Sequence, residues 1–209
     1  MNNELAQKRR VFWHETGHFI AGYYNQMHYG YLGTERITIQ RVELANQNID
    51  YKGTRESIKP EGCRPGTPIK NPGALVASQV YGCFLQCIYL GNSILSCLDK
   101  NPNFNGFDDY SAIEGVVFRF SLRSKDQELL YKIIHEQYEM IKNNAEFRDL
   151  LKVEIEDLIE ADTRIIEVDP NELEKRFHIF LKDHEKVYQL FVEKLRLLFA
   201  PYSDRATSS

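Results

Sequence analysis

From about Asn3 to Tyr24 the chain has no proline, and apolar residues recur at Leu5, Phe12, Phe19 and Tyr23, with a second set at Val11, Ala21 and Gly22. Apolar positions on more than one stripe of a 3.6-residue period predict a largely buried helix. Gly30 and Gly33 follow as punctuation, and between Arg36 and Val42 the residues Ile37 and Ile39 alternate with polar neighbours, the period of a half-buried strand. Asn46 to Gly73 contains Pro60, Pro65, Pro68 and Pro72 with Gly53, Gly62, Gly66 and Gly73, so it is expected to be a long irregular connection. A second buried helix is expected from Pro72 or Gly73 to about Tyr89. After the Gly/Asn/Pro-rich stretch Lys100 to Gly106 a third begins near Asp108, with apolar positions Tyr110, Ala112, Ile113, Val116, Val117 and Phe120.

Charged amphipathic helices are predicted over Lys125 to Asn143, Ala145 to Ala161 and Pro170 to Phe199. In the last of these, Leu173, Phe177, Phe180, Leu181, His184, Tyr188, Phe191, Leu195 and Leu198 fall at helical spacing, and Asp169 before Pro170 is a helix-start signal. Tyr202 to Ser209 is expected to fray. The pattern as a whole predicts an α-rich α+β fold: a core over residues 1–123 with one small sheet, and a helical extension over 124–209 packed on it.

At 209 residues, 43% hydrophobic and 27% charged, the chain is an ordinary globular one, long enough for one domain or a core with an annex. The net charge of -4 comes without a basic block, so nucleic acid is not an expected partner. The most apolar segment, Leu75 to Leu98, is interrupted by Gln79, Gln86, Asn92 and glycines, and no membrane span is expected. Lys8, Arg9 and Arg10 precede an apolar patch in the manner of a signal peptide, but His14, Glu15 and His18 break that patch at once. Cys63, Cys83, Cys87 and Cys97 form neither a C-x-x-C pair nor a disulfide framework, which points to a reduced, cytoplasmic setting. Cys83 and Cys87 are expected to act as small buried hydrophobes.

Chemistry enters with His14-Glu15-Thr16-Gly17-His18, an H-E-x-x-H motif inside the first predicted helix. Positions i and i+4 lie one above the other on a helix face, so both imidazoles aim at one point. Neutral imidazoles suit zinc, a catalytic zinc needs three protein ligands and keeps a position for water, and Glu15 stands where it can serve as general base. The bland alternative is two ordinary helix histidines and a solvated glutamate. Gly17 argues against it, because a mid-helix glycine costs about 1 kcal/mol relative to alanine and implies close packing there. An extended H-E-x-x-H-x-x-G-x-x-H pattern fails at Ala21 and Tyr24. Glu35 and Glu43 lie in the predicted strand, so a third ligand must come from farther along the chain.

These residues resemble the peptidase domain of the FtsH family, membrane-anchored AAA+ zinc proteases whose helix carries H-E-A-G-H. Ile37-Thr38-Ile39-Gln40-Arg41 is similar to the family's next strand, and Tyr81-Gly82-Cys83-Phe84-Leu85-Gln86-Cys87-Ile88-Tyr89-Leu90-Gly91 to its G-G-R-x-A-E-E-I-I-F-G helix, with Gln86 and Cys87 in place of the acidic pair. The resemblance implies that Asp109 is the third zinc ligand, with Asp108 in reserve; each aspartate also has a plain role available as a cap at the helix start. It further implies that Gln86 stands where the family buttresses a metal histidine. It spans about residues 10 to 122, and no Walker A pattern accompanies it.

The expected function is therefore zinc-dependent hydrolysis of peptide bonds in flexible or unfolded polypeptide, independent of ATP. His14, His18 and Asp109 would hold Zn2+ and Glu15 would activate water. Ile37, Thr38, Ile39 and Gln40 would offer a strand edge to an extended substrate, and the Asn46 to Gly73 connection would cover the cleft. The family's ring assembly implies a homo-oligomer. Two alternatives stay open: a degenerate peptidase that acts as a binding or regulatory module, and a metal-dependent amidohydrolase of small molecules.

Overall fold

The computed structural model describes residues 3–43, 49–57, 71–100, 106–160 and 163–202. Helix α1 runs over Asn3–Tyr29, one turn beyond the expected end, and stops at Gly30, whose φ of 68° a side chain would oppose. Its two apolar stripes both find partners, because α2 (Pro72–Leu90) covers one side and the sheet and the last helix cover others. Strand β1 (Thr34–Glu43) lies at the centre of a three-stranded antiparallel sheet, between β2 (Ile49–Ser57) and β3 (Ile165–Val168). Ile37 faces Arg55 on one side and Val168 on the other, and Ile39 faces Gly53 and Ile166. Both isoleucines are buried, as their alternation requires.

The fold is α-rich α+β, with α3 (Phe107–Arg119), α4 (Ser124–Lys142), α5 (Ala145–Leu150), α6 (Glu156–Ile159) and α7 (Pro170–Phe199) completing it. Two expectations change, and one strand is added. The connection after Asn46 contains strand β2, whose central Gly53 hides the strand signal. The helix expected over Ala145 to Ala161 is two short ones, interrupted by the turn at Lys152 and the β-branched Val153 and Ile155. The β-branched run at Ile165 to Val168 pairs with β1. The expected loop over the cleft, apart from β2, lies outside the described residues, as does the expected tail from residue 203; Tyr202 itself is buried, its hydroxyl bonded to Asp126.

Helix α2 begins as its sequence dictates: the Asn71 side chain accepts the Ala74 amide at 3.1 Å, Pro72 occupies the first turn, and Gly91 at φ 68° ends it. It carries no charge and by length and composition alone would be long and apolar enough to cross a bilayer, contrary to the expectation from Leu75 to Leu98. Most of it is instead buried against α1 and α7. Where α1 crosses α2, Gly17 lies against the Tyr81 carbonyl group and Gly82, so the mid-helix glycine marks a backbone-to-backbone approach.

Both halves of the chain share one hydrophobic core. The Tyr24 hydroxyl donates to the Leu181 carbonyl at 2.7 Å, Tyr188 donates to the Asn25 side chain at 2.8 Å, and Tyr81 meets His184 Nε2 at 2.9 Å. Position 123 falls between α3 and α4, and the interior is continuous across it.

Candidate metal centre

Helix α1 presents His14 and His18 one turn apart toward α2 and the start of α3. Their Nε2 atoms are 3.1 Å apart. Asp109, in the first turn of α3, places Oδ2 3.2 Å from His14 Nε2 and Oδ1 3.2 Å from His18 Nε2. Bonds of about 2.0–2.1 Å at tetrahedral angles separate neighbouring nitrogen and oxygen donors by about 3.3–3.4 Å, close to these three separations, of which the two from Asp109 end on different carboxylate oxygens. All three residues are buried, and they form a group able to hold a metal ion. Asp108 is exposed at the rim of the same cleft, outside this group.

Support for the imidazoles differs. His18 Nδ1 donates to the Ser78 carbonyl of α2 at 2.7 Å, which turns the lone pair of Nε2 toward the centre. His14 Nδ1 is buried without a hydrogen-bond partner among the described residues. Gln86 is buried and lines the cleft, yet no described hydrogen bond joins it to either imidazole, so the backbone of Ser78 holds His18 in the way expected of Gln86. Gly82 leaves room for the His18 ring, which a side chain there would strike.

Electrostatics follow from one carboxylate between two imidazoles in a dry place. Burial is the largest influence on His18 and favours its neutral form; the Asp109 carboxylate, aided by Glu15, outweighs it and carries His18 up to about 9. Burial likewise opposes charge on Asp109, and His18 with His14 holds that carboxyl far below the usual range. The cluster is built to hold positive charge between its donors.

A cleft of about 510 Å³ opens onto this centre, lined by His14, Glu15 and His18 and by Tyr51, Gly53 and Arg55 of β2. Glu15 is 5% exposed and lies against Gly53. Arg55 donates to Thr34 Oγ1 at 3.2 Å, and burial lowers its basicity while Glu15 opposes that shift.

The strand expected to receive substrate does not have a free edge: Ile37, Thr38, Ile39 and Gln40 pair with β2 on one side and with β3 on the other. Strand β2 is the edge strand that lines the cleft. Sequence reasoning missed β2, the Ser78 carbonyl and Cys97, whose sulfur lies 3.0 Å from that of Cys83 beside the centre. The alternating Ile49 and Tyr51 ahead of Gly53 are the only local signal that pointed to β2. No family model, curated protein or solved structure matches the chain.

Proposed function

We propose that the protein is a zinc-dependent metallopeptidase acting on flexible or unfolded polypeptide. His14, His18 and Asp109 are its metal ligands and Glu15 its general base. The separations of 3.1, 3.2 and 3.2 Å among the His14, His18 and Asp109 side chains, with Glu15 in the same cleft, are the observation that carries this reading. Two imidazoles and a carboxylate suit zinc and leave a coordination position for water or substrate. A zinc ion held there supplies a Lewis acid for the scissile carbonyl and acidifies water toward neutral pH.

The chain's own residues do the rest. Glu15 accepts the proton of the attacking water at its carboxylate and returns it to the departing amine. Ser78 fixes the His18 ring, and Gly53 fixes the space in which the Glu15 carboxylate sits. A substrate extended along β2, from Asp50 to Arg55, exchanges backbone hydrogen bonds with an edge strand, which gives affinity with little sequence preference. The resemblance to FtsH-type peptidase domains favours self-association, and the cysteine pattern favours a reduced, cytoplasmic setting.

The test pairs metal content with cleavage of a denatured, fluorescently labelled polypeptide. Wild-type protein binds about one zinc per chain, and Asp109→Asn loses it. Glu15→Gln keeps the zinc and loses turnover by about 10²–10⁴-fold. Turnover retained in Glu15→Gln, or a wild-type chain that takes up no zinc at neutral pH, overturns the proposal.

A further inference from the structure

The mechanism above leaves a pair of buried thiols beside the metal ligands unused. Cys83 lies on α2 and Cys97 follows the 3-10 turn Ile94–Ser96; both are fully buried, with sulfurs 3.0 Å apart. Cys83 Sγ is 3.6 Å from Asp109 Oδ2, the oxygen that faces His14. Gly106 makes room for the pair, since a side chain at that position would overlap Cys83 Sγ and the Cys97 carbonyl oxygen. His14, Cys83 and Cys97 each bring one ligand atom within 4.8 Å of the others, and His14 Nδ1 has no hydrogen-bond partner among the described residues.

We propose that His14, Cys83 and Cys97 form a second, thiolate-bearing metal position that takes a thiophilic divalent ion and competes for His14 with the zinc position. Only the competition rests on the metallopeptidase reading; the thiolate position stands on its own donors. Two thiolates bound to one tetrahedral ion at about 2.3 Å lie about 3.8 Å apart, so the sulfurs need spread by less than an ångström. Thiolate donors select soft and borderline ions over magnesium or calcium, which take oxygen. Burial pushes the Cys83 thiol up to about 12. An ion that binds must displace one proton from each thiol to solvent, which only strong metal–sulfur bonds repay. The product, a divalent ion with two thiolates, is neutral and suits a buried place. Asp109 Oδ2, 3.6 Å from Cys83 Sγ and 3.2 Å from His14 Nε2, lies beside two of these donors.

The test is a Cd2+ titration of the full chain in a phosphine reductant, read by thiolate-to-cadmium charge-transfer absorption in the ultraviolet. The band is expected in wild type and in His18→Ala, and is expected to fall by more than half in Cys83→Ala and in Cys97→Ala. Cadmium should also protect Cys83 and Cys97 of the wild type from alkylation, mapped by peptide mass, which gives the assignment even if a variant does not fold. A wild-type chain with no band at saturating cadmium overturns the proposal, as does protection confined to other cysteines. Zinc bound without a cadmium–thiolate band leaves the metallopeptidase reading standing alone; the band without a zinc site leaves only the thiolate position.

Discussion

Glu15 of α1 and Gly53 of β2 share one small volume: the first carbon of any side chain at position 53 would overlap the glutamate side chain. The proposed base is thus positioned by the absence of a side chain on the opposite wall. Gly53→Ala must push the Glu15 carboxylate aside, while His14, His18 and Asp109 are untouched. A misplacement of about 1 Å in a reacting group can cost about 10²-fold in rate. We expect turnover to fall by about 10- to 100-fold with zinc content unchanged, measured by peptide cleavage beside metal analysis. Wild-type turnover in Gly53→Ala would show that Glu15 has slack and does not act from this position.

The same contact explains what was legible in the sequence. His14, Glu15 and His18 are readable because one helical turn suffices to juxtapose them, and α7 because Asp169, Pro170 and a long apolar stripe mark it without outside help. Asp109 reaches the centre only through the packing of α3 on α2, which no local period records; the family resemblance alone pointed to it. Strand β2 is hidden because Gly53, which reads as a breaker, serves the base on another element. The expected substrate edge at Ile37 to Gln40 fails for a related reason. The alternation of β1 gives its faces correctly, yet whether an edge is free depends on β3, more than a hundred residues later.

Gly17 and Gly82 sit at the same helix crossing and should fail in different ways. A side chain at Gly17 meets the carbonyl group of Tyr81 and, at 2.8 Å, the α-carbon of Gly82, backbone atoms that cannot yield. Alanine's helix propensity offers about 1 kcal/mol, which overpacking of about 1–3 kcal/mol or more outweighs. Gly17→Ala is therefore expected to lower the unfolding free energy in urea. A side chain at Gly82 meets the His18 imidazole instead, including Nε2. Gly82→Ala should keep more of its stability and lose about 10- to 100-fold in zinc affinity, the range for disturbed support of a metal ligand. Equal effects of the two substitutions on affinity and stability would contradict this division.

His184, in the interior between α2, α5 and α7, is expected to make stability fall as the solution is acidified below neutrality. Its Nε2 shares a hydrogen bond with the Tyr81 hydroxyl, Phe180 stacks on its ring and Phe147 meets it edge-on. Tyr24 of α1 is also close, and Glu146 of α5 approaches Nδ1 only to 3.6 Å. Burial dominates and drives His184 down to about 3 from 6.5. Between those values the unfolded chain holds a proton that the folded chain refuses, so stability is full above about 6.5 and falls as the pH drops toward 3. At about 1.4 kcal/mol per pKa unit the loss is on the order of 5 kcal/mol, comparable to the whole stability of a marginal domain. His184→Phe fills the same space but strands the Tyr81 hydroxyl, at about 1–3 kcal/mol near neutrality. It should nonetheless flatten the acid slope in urea melts between pH 7 and 4.5, and an unchanged slope would place the acid sensitivity elsewhere.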